Sequence, residues 1–120
     1  MKEEYLIGVD IGTTSLKTIL FNSKGEIIKS SAKEYSLDTP SPHIVECDPR
    51  IYWESFISAL SEILKDIPPS RIKALGISSQ GETFIPIDKN GLPLRKAIVW
   101  LDDLSLIHIS EPTRPRLISY

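Results

Sequence analysis

Three short stretches rich in apolar and β-branched residues open the chain, at residues 5–9, 16–21 and about 27–35. Each is shorter than an ordinary helix and is bounded by glycine, serine, threonine or asparagine, so the pattern predicts strands. Gly25 is the expected site of positive φ in the turn before the third stretch. Three strands joined by two turns predict an antiparallel meander.

A longer periodic stretch follows at residues 49–67. Asp48 can accept hydrogen bonds from the first free amides of a helix, and Pro49 is tolerated in its first turn, so this pair predicts a helix start. Apolar residues then recur at three- and four-residue steps until two prolines end the pattern. The positions predicted to form a buried stripe against a sheet are Trp53, Phe56, Ile57, Leu60, Ile63, Leu64 and Ile67.

Residues 72–78 form a short continuous apolar run, which is typical of a strand in the interior of a sheet. Because the run follows a strand and a covering helix, it is expected beside the first strand and parallel to it, through a right-handed crossover. A hairpin turning at Asn90-Gly91 is predicted next, and a last apolar run covers residues 97–100. Residues 36–43, rich in proline and serine, are predicted to be an exposed irregular connection.

The segment between the first two predicted strands carries the candidate chemistry. Its glycine lets an anion approach the main chain, its hydroxyls can donate to phosphate oxygens, and its carboxylate can hold Mg²⁺ directly or through water. Its lysine adds a positive charge, although strand alternation could equally direct that side chain to solvent. The same residue types are common in plain hairpin turns, so the segment alone leaves both interpretations open. The candidate residues are Asp10, Gly12, Thr13, Thr14, Ser15 and Lys17.

The composition is that of an ordinary soluble protein with room for one modest domain, with 120 residues of which 41% are hydrophobic and 25% charged. A net charge of −2 gives no overall basic bias toward nucleic acid or an anionic membrane. Cys47 is the single cysteine and cannot form an internal disulfide. Without a signal-like N-terminus or an apolar run of membrane-spanning length, the cytoplasm is the expected compartment.

Residues 8–17, Gly-Val-Asp-Ile-Gly-Thr-Thr-Ser-Leu-Lys, resemble the first phosphate loop of the superfamily that includes sugar kinases, hexokinase and actin. In their extended form they are similar to the FGGY carbohydrate kinases. The resemblance implies an α/β fold, a ribonuclease H-like mixed sheet with an antiparallel meander and a covering helix, incomplete in this chain. It also implies that Asp10 organises Mg²⁺ and that residues 12–15 with Lys17 bind the terminal phosphates of ATP.

Two later segments resemble the same family. Residues 76–83, Gly-Ile-Ser-Ser-Gln-Gly-Glu-Thr, are similar to the segment that presents sugar-contacting residues at a strand end, and residues 97–102 resemble its Trp-x-Asp segment. Amide and carboxylate groups suit vicinal hydroxyls, whereas a tryptophan at a strand end is equally compatible with a core position. The substrate-binding residues that the resemblance implies are Gln80, Gly81, Glu82, Trp100 and Asp102.

The sequence departs from the family pattern at two positions. Glycerol kinase has Arg at the position of Gly81 and xylulokinase has a Met-His pair there, so the identity of the sugar or polyol stays open. Leu104 stands where the family usually has Arg, and the resemblance stops at that residue. Residues 1–103 are therefore expected to be a partial N-terminal kinase domain. Residues 104–120, which look like translated sequencing adapter, are expected to be a non-native or disordered tail.

The resemblance implies ATP-dependent phosphorylation of a sugar or polyol hydroxyl by a xylulokinase-like enzyme. No catalytic residue is assigned, because the family's base would lie beyond this sequence, and the chain alone is expected to be inactive. The alternative is a non-catalytic nucleotide-binding module on the actin-like fold. The expected partner is a small sugar or polyol, with no nucleic acid and no membrane, and the resemblance leaves a homodimer open for a full-length homologue.

Overall fold

The computed structural model describes residues 2–99 of the chain, which divide into two units. The first unit comprises the residues up to Tyr35 together with Tyr52–Ser79, and the second comprises Ser36–Ile51 and the residues from Gln80 onward. The substrate roles expected for Trp100 and Asp102, and the tail expected at 104–120, lie outside the described residues.

The first unit is built on a four-stranded mixed sheet. Three consecutive strands, β1 (Tyr5–Ile11), β2 (Ser15–Asn22) and β3 (Ile27–Glu34), pair antiparallel and confirm the predicted meander. A later strand, β6 (Ile72–Ser79), lies parallel to β1, giving the order β3-β2-β1-β6. The parallel pairing was predicted, but among the described strands β6 is at an edge, and from Lys73 to Ser79 its residues are exposed.

The one α-helix within residues 2–99, α1 (Pro49–Ile63), begins where the sequence predicts. The Asp48 side chain accepts a hydrogen bond from the Arg50 amide at 3.0 Å, and the Asp48 carbonyl accepts one from the Ile51 amide at 2.9 Å. The helix ends four residues before the predicted end, because the chain turns and Asp66 adopts a positive φ of 67°. No helix within residues 2–99 is long and apolar enough to cross a membrane.

The helix covers one face of the four-stranded sheet with a narrower stripe than predicted. Ala59 and Ile63 are its buried residues, and the Ala59 carbonyl accepts a hydrogen bond from the Thr18 hydroxyl at 3.3 Å. Trp53 and Ile57 are 64% and 41% exposed, so their predicted burial is wrong. The small Ala59 side chain lets the helix backbone approach β2 closely, which centres the contact on Ala59 and Ile63.

The second unit contains a three-stranded antiparallel sheet. Its strands are β4 (Asp38–Ser41), β5 (Ile44–Cys47) and β7 (Ala97–Ile98), in the order β4-β5-β7. The prediction that residues 36–43 are irregular is wrong, because β4 lies within them, although most of this segment is exposed as expected. Proline is compatible with a strand at the edge of a sheet, where its missing N–H is not needed for pairing.

Two predicted turns are confirmed by their backbone geometry. Gly25 has a φ of +84° and Gly91 a φ of +82°. The Asp88 side chain accepts hydrogen bonds from the amides of Asn90 and Leu92 at 2.8 and 3.0 Å, which fixes the second turn. The flanking segments pair through an isolated bridge between Ile87 and Pro93, so the predicted hairpin forms without regular strands.

Candidate active site

Three polar side chains project from the face of the first-unit sheet that α1 does not cover. Asp10 in β1 lies opposite Lys17 in β2 and opposite Ser78 in β6. Partners on adjacent strands share one face of a sheet, so a carboxylate, an ammonium group and a hydroxyl meet on the same surface. The structure therefore places Lys17 on the same exposed face as Asp10, and it adds Ser78, which belonged to the predicted strand and to the family-like segment 76–83 but was not named as a site residue.

These three side chains help to line an open groove of about 480 Å³. Gly8 and Gly76 lie opposite each other at its floor, where neither contributes a side chain. A Cβ atom added at Gly8 would lie 3.3 Å from a ring carbon of Phe21, so the Phe21 ring packs closely against this glycine. The groove is lined by Gly8, Val9, Asp10, Lys17, Ile19, Phe21, Gly76, Ile77 and Ser78.

The loop between β1 and β2 closes tightly on itself. The Gly12 amide donates to the Ser15 carbonyl at 2.9 Å, and a Cβ atom at Gly12 would lie only 3.0 Å from that oxygen. Gly12 is not among the described residues with positive φ. Any side chain here would press against the backbone of the same turn, so the tight turn favours glycine.

Tyr35 contacts this loop, and the sequence analysis did not identify it as part of the site. Its hydroxyl donates to the carbonyls of Gly12 and Ser15, and its amide donates to the carbonyl of Thr14 at 2.9 Å. Glu34 is the strand partner of Ser15, so Tyr35 follows directly after the residue opposite the loop. The register of the meander was therefore the signal that could have identified it.

The predicted sugar-contacting residues at the end of β6 belong to the second unit. Gln80 accepts a hydrogen bond from the Thr83 hydroxyl at 3.1 Å, and Glu82 is exposed with a φ of 58°. A non-glycine residue with positive φ is uncommon and costs about 1 kcal/mol or more, and such residues concentrate at functional sites. At Gly81 a Cβ atom would meet nothing within 4 Å, so this position has room for a larger side chain.

The donor groups on the open face fit a magnesium–nucleotide complex better than a metal held by protein alone. Mg²⁺ is commonly bound through one or two carboxylates, retained waters and substrate phosphates. Asp10 is exposed and supplies one carboxylate beside the Ser78 hydroxyl. Within residues 2–99 no group of three or more His, Cys, Asp or Glu side chains is arranged to hold a metal ion. Any ion at Asp10 would therefore need oxygen ligands from a bound phosphate and water.

Solved structures of sugar kinases share this arrangement of strands and helix. The gluconate kinase from Lactobacillus acidophilus superposes with a TM-score of 0.81 and 27% identity, covering 89% of this chain and 22% of that one. The xylulose kinase from Lactobacillus acidophilus gives a TM-score of 0.79 and 27% identity, covering 88% of this chain and 22% of that one. The fold is that of the actin- and hexokinase-like sugar kinases.

The N-terminal domain of the FGGY family of carbohydrate kinases matches residues 5–111, and the chain belongs to this family. Glycerol kinase from Oceanobacillus iheyensis is 43% identical over 103 residues, which cover 83% of this chain and 21% of that protein. The chain thus spans about a fifth of the length of the curated relatives it matches. The family inferred from residues 8–17 and 76–83 is confirmed.

Proposed function

We propose that this chain supplies the phosphate-binding part and some of the substrate-binding part of an enzyme that phosphorylates a sugar or polyol hydroxyl with ATP. The observation that carries the proposal is the meeting of Asp10, Lys17 and Ser78 on one open sheet face, above a groove floored by glycine. These groups adjoin the tight loop at Gly12. Membership of a carbohydrate kinase family supports the same function.

Each group has a role in this proposal. Bound Mg·ATP would supply the phosphoryl group. Asp10 would hold the magnesium ion directly or through water, while Lys17 would balance phosphate charge on the neighbouring strand. Thr13, Thr14 and Ser15 carry hydroxyls that can donate to phosphate oxygens. Orientation and charge balance are the main contributions a protein makes to phosphoryl transfer, so these residues would act by positioning and electrostatic stabilisation.

For the acceptor we propose a small polyol or sugar bound through Gln80 and Glu82. The positive φ of Glu82 supports a functional role for this turn. Two curated relatives, 43% and 40% identical, are named glycerol kinases, and two solved structures at 27% identity are named gluconate kinase and xylulose kinase. Glycerol is therefore the first substrate to test, followed by xylulose and gluconate.

The proposal is tested in a hybrid enzyme, in which residues 5–103 of this chain replace the corresponding N-terminal segment of the Oceanobacillus iheyensis glycerol kinase. ATP-dependent product formation is measured with glycerol, xylulose and gluconate. We expect activity with at least one acceptor, and a loss of about 100-fold or more on Asp10→Asn, since a metal-bound carboxylate contributes several kcal/mol. Asp66→Asn is the matched control, because it makes the same chemical change at an exposed residue in the turn after α1, outside the groove lining.

Two results would count against the proposal. A hybrid that folds, as judged by circular dichroism and a cooperative thermal transition, but phosphorylates none of the three acceptors would contradict the kinase function of this segment. A hybrid that retains full activity with Asp10→Asn would contradict the role of the carboxylate while leaving the acceptor assignment standing.

The acceptor preference is examined by Gly81→Arg in the same hybrid. The space around Gly81 allows the larger side chain without a clash, so a change in activity would report on substrate contact. If this position discriminates between acceptors, the substitution raises kcat/KM for glycerol relative to xylulose and gluconate. An unchanged ratio would show that position 81 does not set the preference.

A further inference from the structure

One tyrosine forms several hydrogen bonds to the loop that carries the candidate phosphate ligands. The Tyr35 hydroxyl donates to the Gly12 carbonyl and, at 3.2 Å, to the Ser15 carbonyl, while the Tyr35 amide donates to the Thr14 carbonyl at 2.9 Å. Tyr35 lies 20 to 23 positions after these loop residues in the sequence. The loop conformation therefore depends on the end of the third strand as well as on its own sequence.

The carbonyl oxygens of the loop are the groups that would oppose phosphate binding. Each carries partial negative charge, and an oxygen that faced a phosphate would repel it. Tyr35 engages the carbonyls of Gly12, Thr14 and Ser15, and the Gly12 amide also donates to Ser15 at 2.9 Å. Holding three oxygens toward the tyrosine reduces the number of loop conformations in which a carbonyl faces the ligand.

The tyrosine is itself held in place by the first unit. Tyr35 is only 8% exposed, and its ring packs edge-on against the ring of Tyr52 in α1, with centroids 5.3 Å apart and an angle of 88° between the rings. Such edge-to-face pairs are favourable beyond simple burial. The helix that covers the far side of the sheet thereby fixes the position of the side chain that holds the loop.

We propose that Tyr35 is a positioning residue that presets the phosphate loop at Gly12–Ser15 for nucleotide binding. This inference rests on the proposed kinase function, because it takes the loop to be the phosphate site. Tyr35 touches no reacting group in this scheme. It acts through the loop backbone, and its removal lowers the fraction of molecules whose loop is ready to bind phosphate.

The first measurement needs no nucleotide and uses the whole 120-residue chain. Hydrogen exchange is compared for the amides of Gly12 and Tyr35, which donate within the loop contact, and for the amide of Ile7 in β1. With Tyr35→Phe, which keeps the ring against Tyr52, we expect exchange at the two loop amides to accelerate by about 3- to 10-fold. Exchange at Ile7 changes less, because the loss is local. Tyr5→Phe, at the far end of β1, is the control.

The second measurement uses the hybrid enzyme described above. Tyr35→Phe is expected to raise KM for ATP by about 3- to 10-fold, because it removes the hydroxyl's hydrogen bonds to the Gly12 and Ser15 carbonyls, with KM for the acceptor unchanged. Tyr35→Leu, which also removes the ring contact, has the same direction and a larger effect. A general loss of folding would lower the amount of active enzyme and kcat without separating the two KM values.

The outcomes separate this inference from the function on which it rests. Unchanged loop exchange and unchanged KM for ATP with Tyr35→Phe would overturn the role of Tyr35 while an active hybrid keeps the proposed function. Faster loop exchange in the 120-residue chain, together with a folded hybrid that does not use ATP, would overturn both, because Tyr35 would then order a loop that does not serve as the phosphate site. Equal acceleration at Ile7 and in the loop would show a global effect and would also overturn the inference.

Discussion

The two faces of the first-unit sheet use the same strands for opposite purposes. Toward α1, the residues Leu16, Thr18 and Leu20 of β2 are fully buried. On the other face, Lys17 is exposed, Ile19 and Phe21 are partly exposed, and the groove opens beside them. Because strand residues alternate between faces, one sequence of eight residues both builds the core and lines the candidate site.

The difference between the faces separates stability from function. Side chains on the covered face exclude water and pack against the helix, so they contribute most of the hydrophobic free energy of this unit. The open face combines glycine, polar groups and partly exposed apolar residues, which is poor core material but suits a ligand groove. Substitutions on the two faces should therefore produce different kinds of defect, and the following predictions test that separation.

The largest expected effect is on the covered face. Leu20→Ala removes a fully buried side chain and should lower the free energy of unfolding by about 2–5 kcal/mol, whereas Ile19→Ala, one residue away on the open face, should cost about 1 kcal/mol or less. Urea denaturation of both variants measures the difference. Equal losses would show that the two faces are not distinct in their contribution to stability.

An intermediate effect on stability is expected in the loop that joins β1 and β2. Gly12→Ala places a Cβ atom 3.0 Å from the Ser15 carbonyl oxygen, so we expect a loss of about 1–3 kcal/mol in the free energy of unfolding. Gly76→Ala is the matched control, since a Cβ there meets nothing within 4 Å. Denaturation curves that coincide for the two variants would mean that the loop tolerates the added methyl group and that Gly12 has no steric role.

The smallest expected effect lies at the rim of the covered face, where Glu62 of α1 accepts hydrogen bonds from Lys33 and Ser31 of β3. The hydrogen bond from Lys33, and next that from Ser31, hold the pKa of Glu62 below its ordinary value in the folded chain. The stabilisation is therefore present above the unfolded pKa and is lost as pH falls through the folded pKa. Because Glu62 is exposed and its contacts lie at the surface, the effect is small.

The pH dependence is measured as the thermal unfolding midpoint of the chain from about pH 7 to about pH 3. Glu62→Gln should flatten this profile at its acidic end and lower the midpoint slightly at neutral pH. Glu54→Gln, on the same helix, controls for the general effect of removing a carboxylate. A Glu62→Gln profile that falls as steeply as the unsubstituted one would show that the contact to Lys33 does not contribute.

Local patterns predicted most of the fold. Alternating and continuous apolar runs identified β1, β2, β3 and β6, and the Asp48-Pro49 pair located the helix start, because these signals depend on neighbouring residues in the chain. The same local reasoning missed β4, because proline and serine usually mark loops. In the folded chain, pairing with β5 overrides that tendency. It also placed Trp53 in the core, because periodicity gives the direction of a stripe but not its width.

For the candidate site, the sequence by itself determined which chemical groups are present and their order. It supplied Asp10, the hydroxyls after Gly12 and the segment Gln80–Glu82, and their resemblance identified the family to which the chain belongs. Only the tertiary structure decided that Lys17 and Ser78 share a face with Asp10, that two glycines open a groove, and that Tyr35 holds the loop. Those facts depend on strand register and on contacts between distant residues, which no local pattern specifies.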